Sequence, residues 1–256
     1  MSAYYATIAR FYDAEHADKT DDLVMYSRLA EEYGGPILDI GCGTGRVMLH
    51  LAQEGYETHG IDNEPAMLER ARQKVNALPH LQSLVHFHEG DVLSYPLEKQ
   101  FSMVLLTYNA LMHFHEQETQ LALLGRLRQW LKSDGLLVID LPNAGEVFAT
   151  QDTDAIILER TLIDPDNGHL VMLQSTSYLD RTTQLMRADW IYDEVQDDGT
   201  VKRTYIPHIL RYFFYAEMRL LLLHSGVSVE AVYGDTEEGP FEDGCERMII
   251  YATPIE

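Results

Sequence analysis

The 256-residue sequence predicts an α/β domain: a doubly wound, mostly parallel sheet with a small antiparallel sheet inserted after its fifth strand. Three observations predict it. Short apolar runs alternate with helical patterns as far as Pro142, and a glycine-rich turn joins the first such run to the helix that follows. After Pro142 the punctuation changes. Asn167-Gly168 and Asp198-Gly199 are hairpin turn pairs, and around Met186, Ala188, Trp190 and Tyr192 the apolar period becomes two.

In chain order, Tyr4, Ile8, Phe11 and Tyr12 fit one face of an opening helix, and residues 20–33 fit a second, with Leu23, Tyr26, Leu29, Ala30 and Tyr33 at helical spacing. Residues 36–40 read as the first strand, 41–45 as a turn, 46–53 as a helix and 57–61 as the second strand. Pro65 suits the first turn of a helix bearing Met67, Leu68, Ala71, Val75 and Leu78, with Asn63 able to cap it. Strands follow at 85–88, 101–106 and 136–141, and a helix at 116–132 carries Leu121, Leu124, Leu127 and Leu131. Residues 155–214 form the inserted sheet, after which the chain returns to a helix at 215–224 and closing strands at 227–233 and 247–251. No repeat or linker interrupts this order, so the chain reads as a single domain over 1–256.

Composition narrows the partners. A formal net charge of -22 repels phosphate backbones and anionic membranes, which leaves small molecules, neutral or cationic, as the better partners and makes nucleic acid and membrane unexpected. The opening residues lack a basic start followed by an apolar run, and the purest apolar stretch, 220–223, is too short to span a bilayer. The two cysteines, Cys42 and Cys245, are too few for a stapled secreted scaffold and suit a reduced, cytoplasmic protein.

The turn itself reads Asp39-Ile40-Gly41-Cys42-Gly43-Thr44-Gly45-Arg46. Missing side chains there let backbone N–H groups approach a ligand closely. Dinucleotide folds space their glycines G-x-G-x-x-G, and here the third glycine comes one residue early, which disfavours a nicotinamide oxidoreductase. Asp62, followed by Asn63, stands at the end of the second strand, where an acid accepts from ribose hydroxyls. Asp91, in Glu89-Gly90-Asp91-Val92, ends the third and could accept from an exocyclic amine.

Together these residues resemble the class I S-adenosylmethionine-dependent methyltransferases, in the small-molecule variant whose loop reads Gly-x-Gly-Thr-Gly-Arg. The resemblance covers roughly residues 36–142 and implies a Rossmann-like sheet of seven strands and S-adenosylmethionine as cofactor. By that resemblance the loop from Gly41 to Gly45, with Cys42 and Gly43, holds the methionine portion, Asp62 holds the ribose and Asp91 with Val92 holds the adenine; Asp39, Arg46, Asn63 and Met67 are further cofactor-binding candidates. Thr107 and Tyr108, at the end of the fourth strand, border both cofactor and acceptor. Residues 6–13 resemble an opening segment built around a Tyr-Asp pair that folds over the cofactor, so residues 1–33 are expected to form a lid with Tyr4, Tyr5 and Tyr12 facing the site.

Methyl transfer from a sulfonium is an in-line displacement that rests on alignment and desolvation, with a base needed only when a proton must leave. His113 is the candidate base, Tyr12 the second catalytic candidate, and His208, Tyr205 and Tyr212 further candidates for substrate contact. Thr107-Tyr108-Asn109-Ala110 departs from the Asn/Asp-Pro-Pro-Tyr/Phe run of nucleobase amino-methylation, and neither cysteine is placed for thiol-dependent transfer. His113-x-His115 lacks further ligands, so no metal is expected. The inserted sheet either covers the acceptor pocket or pairs two copies in a homodimer. The expected function is N- or O-methylation of a small-molecule acceptor; the alternative is a non-catalytic cofactor-binding sensor or assembly protein.

Overall fold

The apolar run Ile37–Ile40 becomes β1, buried at every position, in a seven-stranded sheet. The computed structural model describes residues 2–150 and 153–255. Parallel strands β2 (Thr58–Asp62) and β3 (Val85–Glu89) extend the sheet on one side of β1, and β4 (Phe101–Leu106) and β5 (Leu131–Pro142) on the other. The closing strands β10 (Val227–Tyr233) and β11 (Arg247–Pro254) complete the order β10-β11-β5-β4-β1-β2-β3, with β11 antiparallel to both neighbours. The order reverses between β1 and β4, and a doubly wound sheet binds its ligand in the crevice beyond the carboxyl ends of the strands at that switch point.

Side chains alternate across this sheet. Ile37, Met103, Leu105 and Val138 face helix α2 (Asp21–Tyr33), which buries Met25, Tyr26, Leu29 and Ala30 against them. Leu38, Val104, Leu106 and Leu137 face the opposite way, toward α5 (Gln117–Trp130) and α7 (Tyr215–His224). Helices α3 (Arg46–Gln53) and α4 (Pro65–Asn76) enclose a smaller cluster of Cys42, Met48, Leu49, Leu68 and Val75. Among the described residues no helix is long and apolar enough to cross a membrane.

After β5 and the short helix α6 (Ala144–Thr150) comes the insertion, an antiparallel sheet of β6 (Thr153–Ile163), β7 (Leu170–Asp180), β8 (Leu185–Val195) and β9 (Val201–Arg211) in sequential order. Its inner face lays Leu162, Val171, Leu173, Tyr192 and Ile206 against Tyr4, Ile8 and Phe11 of α1 (Ser2–Glu15). Arg10 of α1 bonds Asp164 at 2.8 Å and Glu194 at 2.7 Å. On the other side of α1, Asp13 accepts from Thr44 of the glycine turn and from Lys74 of α4, both at 2.6 Å. The first helix is therefore the joint between the two sheets.

Three sequence expectations need correcting, and one turn escaped the sequence reading. The helix expected over 116–132 stops at Trp130, because Leu131 already pairs with Phe101 as β5 begins. Its buried stripe is Leu123, Leu124 and Leu127, whereas Leu121 is exposed. Glu64, not Asn63, caps α4, its carboxylate accepting from Ala66 N at 3.2 Å. The β7–β8 hairpin turns without glycine, through Gln184 at φ 55°, and so left no punctuation to read.

Candidate active site

The glycine turn is held open by β2. Gly41 N and Cys42 N both donate to Ile61 O, and the turn closes so tightly on the strand that a Cβ at Gly60 would lie 2.6 Å from Cys42 Sγ and from Met48 Sδ. Gly43, at φ 55°, takes a left-handed conformation that disfavours other residues and donates its N–H to Asp62 Oδ2 at 2.8 Å. The second oxygen of Asp62 accepts from Glu64 N at 2.9 Å. Burial raises the Asp62 carboxyl above its ordinary range while these backbone donors pull it down. Each oxygen keeps a second lone pair for a ligand hydroxyl.

Below the turn, Asp39 is buried and accepts from Thr107 Oγ1 at 3.1 Å; burial pushes its carboxyl up to about 7. Burial also raises the Cys42 thiol well above its ordinary value, which keeps it protonated and removes it as a nucleophile. Arg46 is a different matter from what the loop pattern implies. Its two terminal nitrogens both reach Asp22 at 2.6 Å and one donates to Lys19 O at 3.0 Å, so its charge is spent on fixing α2 to α3.

The wall opposite the turn comes from α1 and from the segment after β4. Tyr5 Oη lies 2.8 Å from His113 Nε2, and His113 Nδ1 is buried with no hydrogen-bond partner. Burial, followed by the charges of His208 and His115, lowers His113 to about 3. His208, on β9, is stacked on Tyr4 at 4.1 Å between ring centroids and stands 5.1 Å from the His113 ring. Tyr12 stacks on His16, whose ring meets Tyr108 edge to face. Tyr108 and Asn109 have φ of 40° and 71°, strained values for side-chain-bearing residues, held in place by Arg247, which donates to Asn109 Oδ1 and Asp140 Oδ1.

These groups enclose a cavity of about 400 Å³, of the size that takes a cofactor or drug-sized ligand. Tyr5, Tyr12, Asp39, Gly41, Cys42, Gly43, Arg46, Asp62, Asn63, Met67, Asp91, Val92, Thr107, Tyr108 and His113 all line it. Gly45 does not; at φ 80° it starts α3. Asp91 is exposed and turns one oxygen to Leu93 N at 2.9 Å. Tyr205 lies half exposed beside Arg187, and Tyr212 is buried in the main core, so neither reaches the cavity. Sequence reasoning missed Glu116 and Thr119 of the lining, whose residue types carry no signal of their own.

A second cavity of about 380 Å³ shares Tyr108 with the first and is lined by Glu15, Asp18, Asp21, Glu159, Lys19, Arg160 and Trp190 among others. Burial raises Glu15 to about 6, and Tyr192 Oη donates to it at 3.1 Å.

Comparison with known proteins bears on what these cavities take. The family described as a methyltransferase domain matches residues 37–135. The chain is similar to the dTDP-3-amino-3,4,6-trideoxy-alpha-D-glucopyranose N,N-dimethyltransferase of Streptomyces venezuelae, 25% identical over 232 residues that cover 90% of each chain. It is also similar to the cypemycin N-terminal methyltransferase of a Streptomyces species, 25% identical over 85% of this chain and 82% of the other. The solved CcbJ methyltransferase from Streptomyces caelestis matches 95% of this chain and 96% of its own at a TM-score of 0.78 and 25% identity.

Proposed function

Since this chain belongs to the class I S-adenosylmethionine-dependent methyltransferases, we propose that it methylates an amine nitrogen on a polar small molecule, with His113 in the wall that positions the amine. Its reaction class is methyl transfer from S-adenosylmethionine to nitrogen or oxygen of a small acceptor. The cofactor supplies a methyl group on a cationic sulfur. The first cavity suits it: the glycine turn offers close backbone, Asp62 offers free lone pairs for hydroxyls, and Asp91 with Val92 closes the far end.

One observation carries the choice of nitrogen: the His113 ring in the cavity wall is lowered to about 3. Such a ring is neutral at physiological pH and offers one lone pair, yet it is too weak a base to strip a hydroxyl. A neutral amine needs no such help. Its lone pair forms the new C–N bond as the C–S bond breaks toward sulfur, and the cationic product nitrogen then releases a proton past the imidazole to solvent. The His113 ring, held by Tyr5 at Nε2, forms part of the wall that positions the amine. Four carboxylates against two cations in the second cavity, and a net charge of -22, favour an amine acceptor that is attracted as its ammonium and reacts as the free amine after its extra proton has passed to water. The relatives whose names specify N-methylation point the same way. In this reading α1 is the lid and residues 155–214 cover the acceptor.

The test is incubation with methyl-labelled S-adenosylmethionine and a panel of amines, phenols and carboxylates, read by mass spectrometry. Label on an amine is expected. Label confined to phenols or carboxylates overturns the choice of nitrogen, and binding of S-adenosylhomocysteine without any product favours the non-catalytic alternative.

A further inference from the structure

Three side chains that the methyl-transfer reaction does not use meet at the opposite end of β2 and β3 from the cofactor turn. Glu57 immediately precedes β2, His59 lies within it, and His86 is the register partner of His59 on β3. One ligating atom from each lies within 4.8 Å of the other two. Glu57 Oε1 stands 3.0 Å from His59 Nε2 and 3.6 Å from His86 Nε2. The spot already attracts a cation: the Lys99 ammonium sits 2.5 Å from Glu57 Oε1 and 3.4 Å from His59 Nε2.

We propose that Glu57, His59 and His86 form a binding site for a divalent transition-metal ion of the zinc type, which takes the place of the Lys99 ammonium. Two imidazoles and one carboxylate are the donor set of borderline ions, with the remaining positions filled by water. A tetrahedral ion with bonds of about 2.1 Å needs ligand atoms about 3.4 Å apart, which the two measured pairs bracket. Closing the third pair falls to His86, whose side chain is 41% exposed and free to turn.

The surroundings support the ligands. His59 Nδ1 lies 2.9 Å from His88 Nε2, and His88 Nδ1 lies 3.2 Å from Tyr95 Oη. With both imidazoles protonated on Nδ1, His59 donates to His88, His88 donates to Tyr95, and His59 Nε2 presents its lone pair to the ion. This is how an outer hydrogen bond fixes the tautomer of a metal-bound histidine. Lys99 can leave at little cost, since its flexible stem is 38% exposed and a strongly hydrated ammonium is at home in water.

The decisive experiment titrates tag-free, chelator-stripped protein with Zn²⁺ in competition with a chromogenic chelator, and repeats it for three variants. The expected result is one tight site per chain that weakens about tenfold or more in His86→Ala and strengthens several-fold in Lys99→Met. His80→Ala, an exposed histidine outside the cluster, leaves the affinity unchanged. Two results overturn the proposal: no stoichiometric site in the intact protein, or one whose affinity His86→Ala leaves intact. Each His86→Ala sample is checked for S-adenosylhomocysteine binding, which a folded variant retains because the cluster lies outside the cofactor cavity.

Discussion

Replacing Asp62 with alanine removes the carboxylate that the proposed cofactor site assigns to the ribose. In the folded protein it accepts from Gly43 N and Glu64 N, and the remaining lone pairs are the ones assigned to the ribose hydroxyls. A hydrogen bond to a charged group contributes about 1.5–3 kcal/mol, so losing two costs at least about 3 kcal/mol and weakens S-adenosylhomocysteine about 150-fold. Wild-type protein at 100 times the dissociation constant gains about 2.7 kcal/mol from the ligand, whereas the variant at the same concentration gains about 0.3 kcal/mol. For a chain of this length that is a ligand-induced rise in Tm of about 5–10 °C against about 1 °C. The unliganded variant also melts lower, since two backbone donors lose their acceptor, so calorimetric titration is the primary assay and the ligand-induced shift its confirmation. An unchanged affinity for S-adenosylhomocysteine refutes the placement of Asp62, and NAD stabilising the protein as strongly refutes the cofactor.

His113→Ala is expected to lower turnover of an identified amine about 10-fold while leaving S-adenosylhomocysteine affinity within about twofold, and Tyr5→Phe, which loses one hydrogen bond, lowers turnover about 2–10-fold; parallel losses in cofactor affinity go against these roles. Asp22→Ala strands the Arg46 guanidinium, whose side chain is 21% exposed, and is expected to cost about 2–4 kcal/mol, or about 5–15 °C in Tm; a change below about 2 °C shows the pair to be dispensable. His113 also predicts an acid sensitivity. Its folded value of about 3 lies below the unfolded 6.5, so the unfolded chain binds the proton first and the stability it confers is complete above pH 6.5 and lost as pH falls toward 3. Asp39, raised to about 7, works in the opposite sense, so the measurement is the difference between wild type and His113→Asn in urea unfolding. That difference should move by up to about 1.4 kcal/mol per pH unit between pH 6 and 4, and parallel profiles count against a neutral, buried His113.

Features that depend on neighbours along the chain were legible in the sequence. The glycine turn, Asp62 and Asp91 each sit where a strand ends, a strand end is announced by the apolar run before it, and the strand order then brings all three to one crevice. The Tyr12-Asp13 pair was legible for the same reason, although its physical role was not: Asp13 holds α1 to Thr44 and Lys74, contacts 31 and 61 residues distant. The helix at 116–132 shows the limit of periodicity. Leucines at 121, 123, 124, 127 and 131 allow more than one helical stripe, and only the pairing of Leu131 with Phe101 decides where helix gives way to strand.

Arg46 and the histidines mark where local pattern stops carrying information. The loop pattern puts Arg46 beside the cofactor, and it does line the cavity, but what its guanidinium binds is set by Asp22 on a helix that the pattern does not contain. Likewise His113 was singled out by its position after β4, while the properties that make it useful come from elsewhere: Tyr5 from α1, and His208 from a strand of the inserted sheet. His59 and His86 are 27 residues apart and become neighbours only through the parallel register of β2 and β3, so a search for ligands at fixed spacing passes over them. The proposed catalytic and metal-binding chemistry depends on which side chains the sheets bring face to face. The glycine turn is written in one segment, and the proposed acceptor site is written in three.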